Sequence, residues 1–144
     1  MDNKLKSKTR LAAIQLVSQH LVNDEDIELI KDDFNIYYRN TKIDILSEKI
    51  VYNINFLSKL VSYYKKINTQ KLSQEINSLI TFERKFEKWD TINKAIMFVA
   101  ISELKYSNNF KDKIILNDYL EISKSFVNLN DTKMINALLD KFIK

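Results

Sequence analysis

The amino-acid sequence predicts an all-α protein, a compact bundle of six or seven helices. Three observations carry that expectation. Apolar residues recur at steps of three and four along most of the chain, with no strand alternation of useful length and no internal repeat. Glycine and proline are both absent, so the usual helix breakers are missing. Polar breaks fall instead in short clusters, at Asn23-Asp24, Asn40-Thr41, Ser107-Asn108-Asn109 and 128–132. Such side chains hydrogen-bond nearby backbone and so favour caps and turns over helix interiors.

The first helix is expected over 4–22, with Leu11, Ile14, Val17 and Leu21 as its buried stripe. Lys4, Lys8, Gln15 and Gln19 share a different face. A second helix, 27–38, turns Ile27, Ile30, Phe34 and Tyr37 inward, and the run Asn23-Asp24-Glu25-Asp26 suits its positive end. From 39 to 52 the pattern is ambiguous: Ile43, Ile45, Ile50 and Val51 fit either an extended helix or a packed loop. A long helix follows over 53–81. Phe56, Leu57, Leu60, Val61 and Tyr64 mark its first half, and Leu72, Ile76, Leu79 and Ile80 its second. Asn68-Thr69 is the point where it can break, because both are weak helix formers.

Residues 82–89 make a charged, aromatic connection. The next helix, 90–106, is apolar all round from Ile96 to Ile101, which predicts a central, buried position. A helix over 114–127 is two-faced, with Ile115, Tyr119, Ile122 and Phe126 inward and Asn117, Asp118, Glu121, Lys124 and Ser125 outward. The last, 131–143, carries Met134, Ile135, Leu138, Leu139, Phe142 and Ile143 on its inner stripe.

The 144 residues suit one domain, 1–144, and 45% are hydrophobic, enough for a core. No cysteine is present, which removes disulfides, thiolate catalysis and cysteine-ligated metals. Without glycine, phosphate-cradling loops and dinucleotide fingerprints have no backbone to use. No apolar run is long enough to span a membrane, and no cleavage pattern follows the basic start, so the expected location is the cytoplasm. His20, the single histidine, reads as a surface or packing residue, and paired-histidine metal sites are excluded. Carboxylates are interleaved with bases, as in Lys31-Asp32-Asp33 and Glu83-Arg84-Lys85, and form solvated faces. No catalytic constellation can be assembled, so neither an enzyme nor a cofactor or metal is expected.

Binding remains. The net charge of +4 suits an anionic partner, and equally a lysine-rich surface kept soluble by its charge. More pointed is the start, where Lys4, Lys6, Lys8 and Arg10 fall within seven residues. Cations on a helix end neutralise phosphates and release counterions. Gln15 and Gln19 continue the Lys4–Lys8 face and can donate to bases or phosphates. The competing reading is a frayed, solubilising terminus.

The stretch IILNDYLEISKSFVNLNDTKMINALLDK, 114–141, resembles the NusB family. It matches that family's acidic amphipathic helix with a Lys-Ser-Phe-type end, then a polar turn and a Phe-Val-Asn-Gly-Val-Leu-Asp-Lys-type helix. Lys94-Ala95-Ile96-Met97, Ser102-Glu103-Leu104, the opening Thr9-Arg10-Leu11-Ala12-Ala13-Ile14-Gln15, and Asp33-Phe34 with Arg39 are similar to further family steps in the same order. The resemblance implies two packed helical halves. It also implies transcription antitermination: binding of boxA-type RNA in ribosomal RNA leader transcripts, with the NusE-type small-subunit ribosomal protein, within the RNA polymerase antitermination complex. It places Lys4, Lys6, Lys8, Arg10 and Gln15 in the RNA-binding opening, and Asn117, Asp118 and Glu121 on the partner side.

The chain departs from the family pattern at several positions. Ser18 stands where the family usually has Tyr, Phe98 where Arg is common, Ala137 where Gly is common and Val127 where a turn Gly is expected. Lysines replace much of the usual arginine, losing bidentate phosphate contacts. These departures motivate an alternative, a helical protein–protein adaptor that has lost specific RNA binding. Self-association as a homodimer stays open.

Overall fold

The computed structural model describes residues 1–42, 49–81, 84–108 and 110–143. Among these are seven α-helices: α1 Asn3–Asn23, α2 Ile27–Tyr37, α3 Ile54–Lys66, α4 Thr69–Leu79, α5 Thr91–Tyr106, α6 Asp112–Ser123 and α7 Leu129–Asp140. A 3₁₀ turn, Phe86–Lys88, precedes α5. The fold class is all-α, as the sequence predicts. Among the described residues no helix is long and apolar enough to cross a membrane.

Side chains rather than glycines set the helix ends. Asp2 opens α1 by accepting from the Leu5 amide at 2.7 Å. Asp24 closes it in the left-handed region, φ 56°, with its amide donating to the His20 carbonyl. A left-handed residue with a Cβ costs about 1 kcal/mol, and Asp and Asn are the types that tolerate it best. The Tyr38 amide closes α2 by donating to the Phe34 carbonyl, and Asn40, φ 63°, is left-handed in the turn that follows.

The expected long helix over 53–81 is two helices. Ile67 is extended (φ −82°, ψ 149°), and the Asn68 side chain accepts from the Lys71 amide at 3.0 Å to start α4. An Asn68→Ala substitution should therefore lower stability by about 1 kcal/mol, the usual worth of such a cap. A urea titration followed by fluorescence of the buried Trp89 measures it. An unchanged midpoint would show that packing alone sets this break.

In the ambiguous stretch, the described ends form a packed loop. The Asn40 amide donates to the Ile50 carbonyl at 2.6 Å and the Ile50 amide to the Thr41 carbonyl at 2.7 Å. The readings at Ile43 and Ile45 lie outside the described residues.

At the centre lies α5, packed against α1, α3, α6 and α7. Every residue from Ala95 to Leu104 is buried: the apolar run to Ile101 requires it, and the polar Ser102 and Glu103 are buried with it. Phe98 belongs to this core, its ring 5.4 Å from that of Phe86. Phe86 and Trp89 turn the charged connection into an aromatic plug, with ring centroids 5.0 Å apart.

Two residues expected inside are outside. Tyr37 is 67% exposed, because Tyr52 fills the space beside Phe34, ring centroids 5.5 Å apart. Phe126 is 45% exposed, because α6 ends at Ser123 and the chain leaves helical register before reaching it. That exit needs no glycine. The Phe126 and Val127 amides both donate to the Ser123 carbonyl, and Val127 keeps a negative φ.

Candidate nucleic-acid and partner interface

Helical geometry divides the basic start of α1 into two faces. Residues four apart lie on one side of a helix, whereas residues two apart do not. Lys4, Gln15 and Gln19 are exposed and Lys8 is half-buried, on one open face. Lys8, Leu11, Ala12 and Gln15 form one wall of a groove of about 240 Å³, and Lys49, Ile50 and Val51 form the other. Lys49 was not foreseen. It comes from a distant loop, and the backbone pairing of Ile50 with Asn40 and Thr41 holds the loop's end in place.

Lys6 and Arg10 turn the other way, towards α6. Lys6 Nζ sits 4.7 Å above the centre of the Phe110 ring. Arg10 is no open phosphate contact, contrary to the expectation from its place among the lysines: it is 2% exposed. Its Nε donates to Glu103 Oε1 at 2.9 Å, its Nη2 to Glu103 Oε2 at 2.6 Å and its Nη1 to Asp118 Oδ2 at 2.6 Å. The rings of Phe56 and Phe110 lie 5.3 Å from the guanidinium carbon, and that of Tyr119 lies 5.7 Å away. The Tyr119 hydroxyl donates to Glu103 Oε1 at 2.6 Å, and Ser7 Oγ donates to Asp118 Oδ1.

This network is electrostatically closed. Burial by itself would lower the Arg10 pKa; the hydrogen bonds and charge of Glu103, with Asp118, outweigh it and raise the pKa above its ordinary value. Burial, then the charge of Glu103, pushes the Tyr119 hydroxyl well above its ordinary range, so it stays a neutral donor. Glu103 and Asp118 both pair with Arg10, and of the two only Asp118 reaches solvent.

On the opposite wall, α6 presents the expected partner residues. Asn117 and Glu121 are exposed, whereas the Asp118 side chain is 16% exposed and held by Arg10 and Ser7. Two grooves meet along this face. One, of about 230 Å³, lies between α1 and α6 over Lys6, Phe110 and Ile114. The other, of about 450 Å³, lies between α6 and α7 beside Leu120, Leu129 and Lys133. Asn117 and Glu121 border both, and the exposed Ile114 and Leu129 add apolar surface.

His20 is a packing residue. Its Nδ1 meets the Glu25 carbonyl, and its ring stands edge-on to Tyr64, centroids 5.9 Å apart. Ser18 Oγ is buried with no hydrogen-bond partner among the described residues.

Comparison with known proteins adds a family. The model of the NusB family matches residues 7–144. A "Transcription antitermination protein NusB" of Rickettsia massiliae is 28% identical over 150 residues, covering 99% of this chain and 95% of the relative. Its counterpart in Rickettsia typhi is 28% identical, covering 96% and 92%. Among solved structures, T. maritima NusB superposes with a TM-score of 0.70 at 18% identity, over 94% of this chain and 88% of that one.

Proposed function

The chain belongs to the NusB family of transcription antitermination proteins, and on that premise we propose that it is a cytoplasmic RNA-binding antitermination factor. It meets boxA-type RNA of ribosomal RNA leader transcripts jointly with the NusE-type ribosomal protein, inside the RNA polymerase antitermination complex. It works by binding and performs no chemistry of its own.

The observation that carries this reading is the open face of Lys4, Lys8, Gln15 and Gln19, extended by Lys49. Lysines there neutralise phosphates, and the amides offer donors and acceptors to bases. Arg10 serves indirectly, fixing α1 against α5 and α6 so that the face is rigid. The partner protein would lie along α6, contacting Asn117, Glu121, Ile114 and Leu129. Asp118 then acts as a positioning residue through Arg10.

An anisotropy titration with labelled boxA-type RNA, with and without the NusE-type protein, tests the proposal. Tighter binding to boxA-type RNA than to a scrambled sequence in the presence of the partner is expected. Equal affinity for the two RNAs would contradict it.

The burial of Arg10 and the small Ser18 favour one second reading, an adaptor without specific RNA recognition. It calls for a protein partner that survives RNase treatment in a pull-down. A partner lost on RNase treatment would exclude it.

A further inference from the structure

Charge in this molecule is unevenly distributed. The whole chain carries +4, yet the stretch from Asp24 to Tyr38 holds six carboxylates against one lysine. That lysine, Lys31, is turned onto Glu28 at 2.7 Å, and Glu28 also receives Lys65 at 3.2 Å. Asp32 and Asp33 are exposed and make no ion pair among the described residues.

The same helix is apolar on both sides. Ile27, Ile30 and Phe34 are buried against the bundle, but Leu29 is 60% exposed and Ile36 69%. Seven residues are close to two helical turns, about 10.5 Å of rise, so Leu29 and Ile36 stand on one outer face. Asp32 and Asp33 occupy the turn between them, and Tyr37 extends the patch. Leu29 and Ile36 lie outside the core, and solubility alone gives no reason for large aliphatic side chains at these two positions.

We infer that the outer face of α2 docks a cationic amphipathic helix of a partner protein. Apolar residues of that helix, seven apart, meet Leu29 and Ile36, and its lysines or arginines meet Asp32 and Asp33. The charge pattern selects this occupant. RNA is repelled by the carboxylates, and a second copy using the same face would set acids against acids. An apolar stripe flanked by acids is complementary to an apolar stripe flanked by bases. The face is separate from the lysine face of α1, so the inference does not depend on RNA binding.

The test uses the full chain and a labelled synthetic helix of about 15 residues, long enough to fold on contact, with leucines seven apart and lysines between them. Saturable binding at low salt is expected. It should weaken by roughly tenfold or more both in Leu29→Ser/Ile36→Ser and in Asp32→Lys/Asp33→Lys. These substitutions lie on exposed positions, and circular dichroism verifies that both variants fold. A peptide with glutamates in place of the lysines should not bind. Absence of binding, binding unaffected by either double variant, or equal binding of the glutamate peptide would each overturn the inference. So would sedimentation showing a dimer of the chain that Leu29→Ser/Ile36→Ser dissolves.

Discussion

Substituting Glu103 by Ala should destabilise the protein by about 3–5 kcal/mol, the usual cost of orphaning one member of a buried ion pair. The guanidinium of Arg10 would keep Asp118 but lose two hydrogen bonds at 2.6–2.9 Å, in a place where water has almost no access. The Tyr119 hydroxyl would lose its acceptor at the same time. Most of that loss is the penalty of an unpaired buried charge, which a second variant separates. Arg10→Met/Glu103→Leu/Tyr119→Phe removes the buried polar groups together and leaves Asp118, which reaches solvent, to be hydrated. Its stability should lie within about 2 kcal/mol of the parent, since apolar replacement of a buried network is often near neutral. Urea unfolding followed by far-UV circular dichroism compares the three proteins. A triple variant as unstable as Glu103→Ala would mean that the network contributes far more than the relief of its own desolvation.

The triple variant also separates structure from recognition. If Arg10 only braces α1, a folded protein without it retains its RNA affinity. Were the guanidinium itself a phosphate ligand, the affinity would fall with the charge.

Much of the fold is readable from the sequence, and the reasons are local. The unbroken apolar run of α5 forces a central helix, and Asn68 announces the break between α3 and α4 by the same side-chain chemistry that caps the second helix. The end of α6 is not readable, because Lys124, Ser125 and Phe126 continue the helical pattern while the backbone has already tightened at Ser123. The candidate site divides along the same line. Lys4, Lys8, Gln15 and Gln19 share a face by spacing alone. Arg10 looks like a further surface cation until α5 and α6 deliver Glu103 and Asp118 to it. One signal did exist: Glu103 interrupts an otherwise buried, mostly apolar stretch, and a carboxylate there requires a buried cation. Lys49 offered none, since only the return of its loop brings it beside Gln15.

On the open face the expected effect is functional rather than structural. Lys4→Glu/Lys8→Glu should weaken RNA binding by about tenfold or more, because two attractions to phosphate become repulsions. A urea titration separates a loss of fold at the half-buried Lys8 from a loss of binding. Acidic residues near a helix N-terminus interact favourably with its dipole, and Lys4 lies in the first turn of α1. A charge-reversed protein that unfolds at the parent's urea midpoint but binds RNA unchanged would move the interface elsewhere.

The salt dependence of RNA affinity tests most directly whether Lys4 and Lys8, and not the buried arginine, meet the phosphates. Each phosphate neutralised on a single strand contributes about 0.7 to the slope of log affinity against log salt. Lys4→Ala/Lys8→Ala should therefore flatten that slope by about 1.4, while the Arg10→Met/Glu103→Leu/Tyr119→Phe protein keeps the parent's slope. An undiminished slope in the lysine variant, together with a flatter one in the arginine variant, would contradict this assignment.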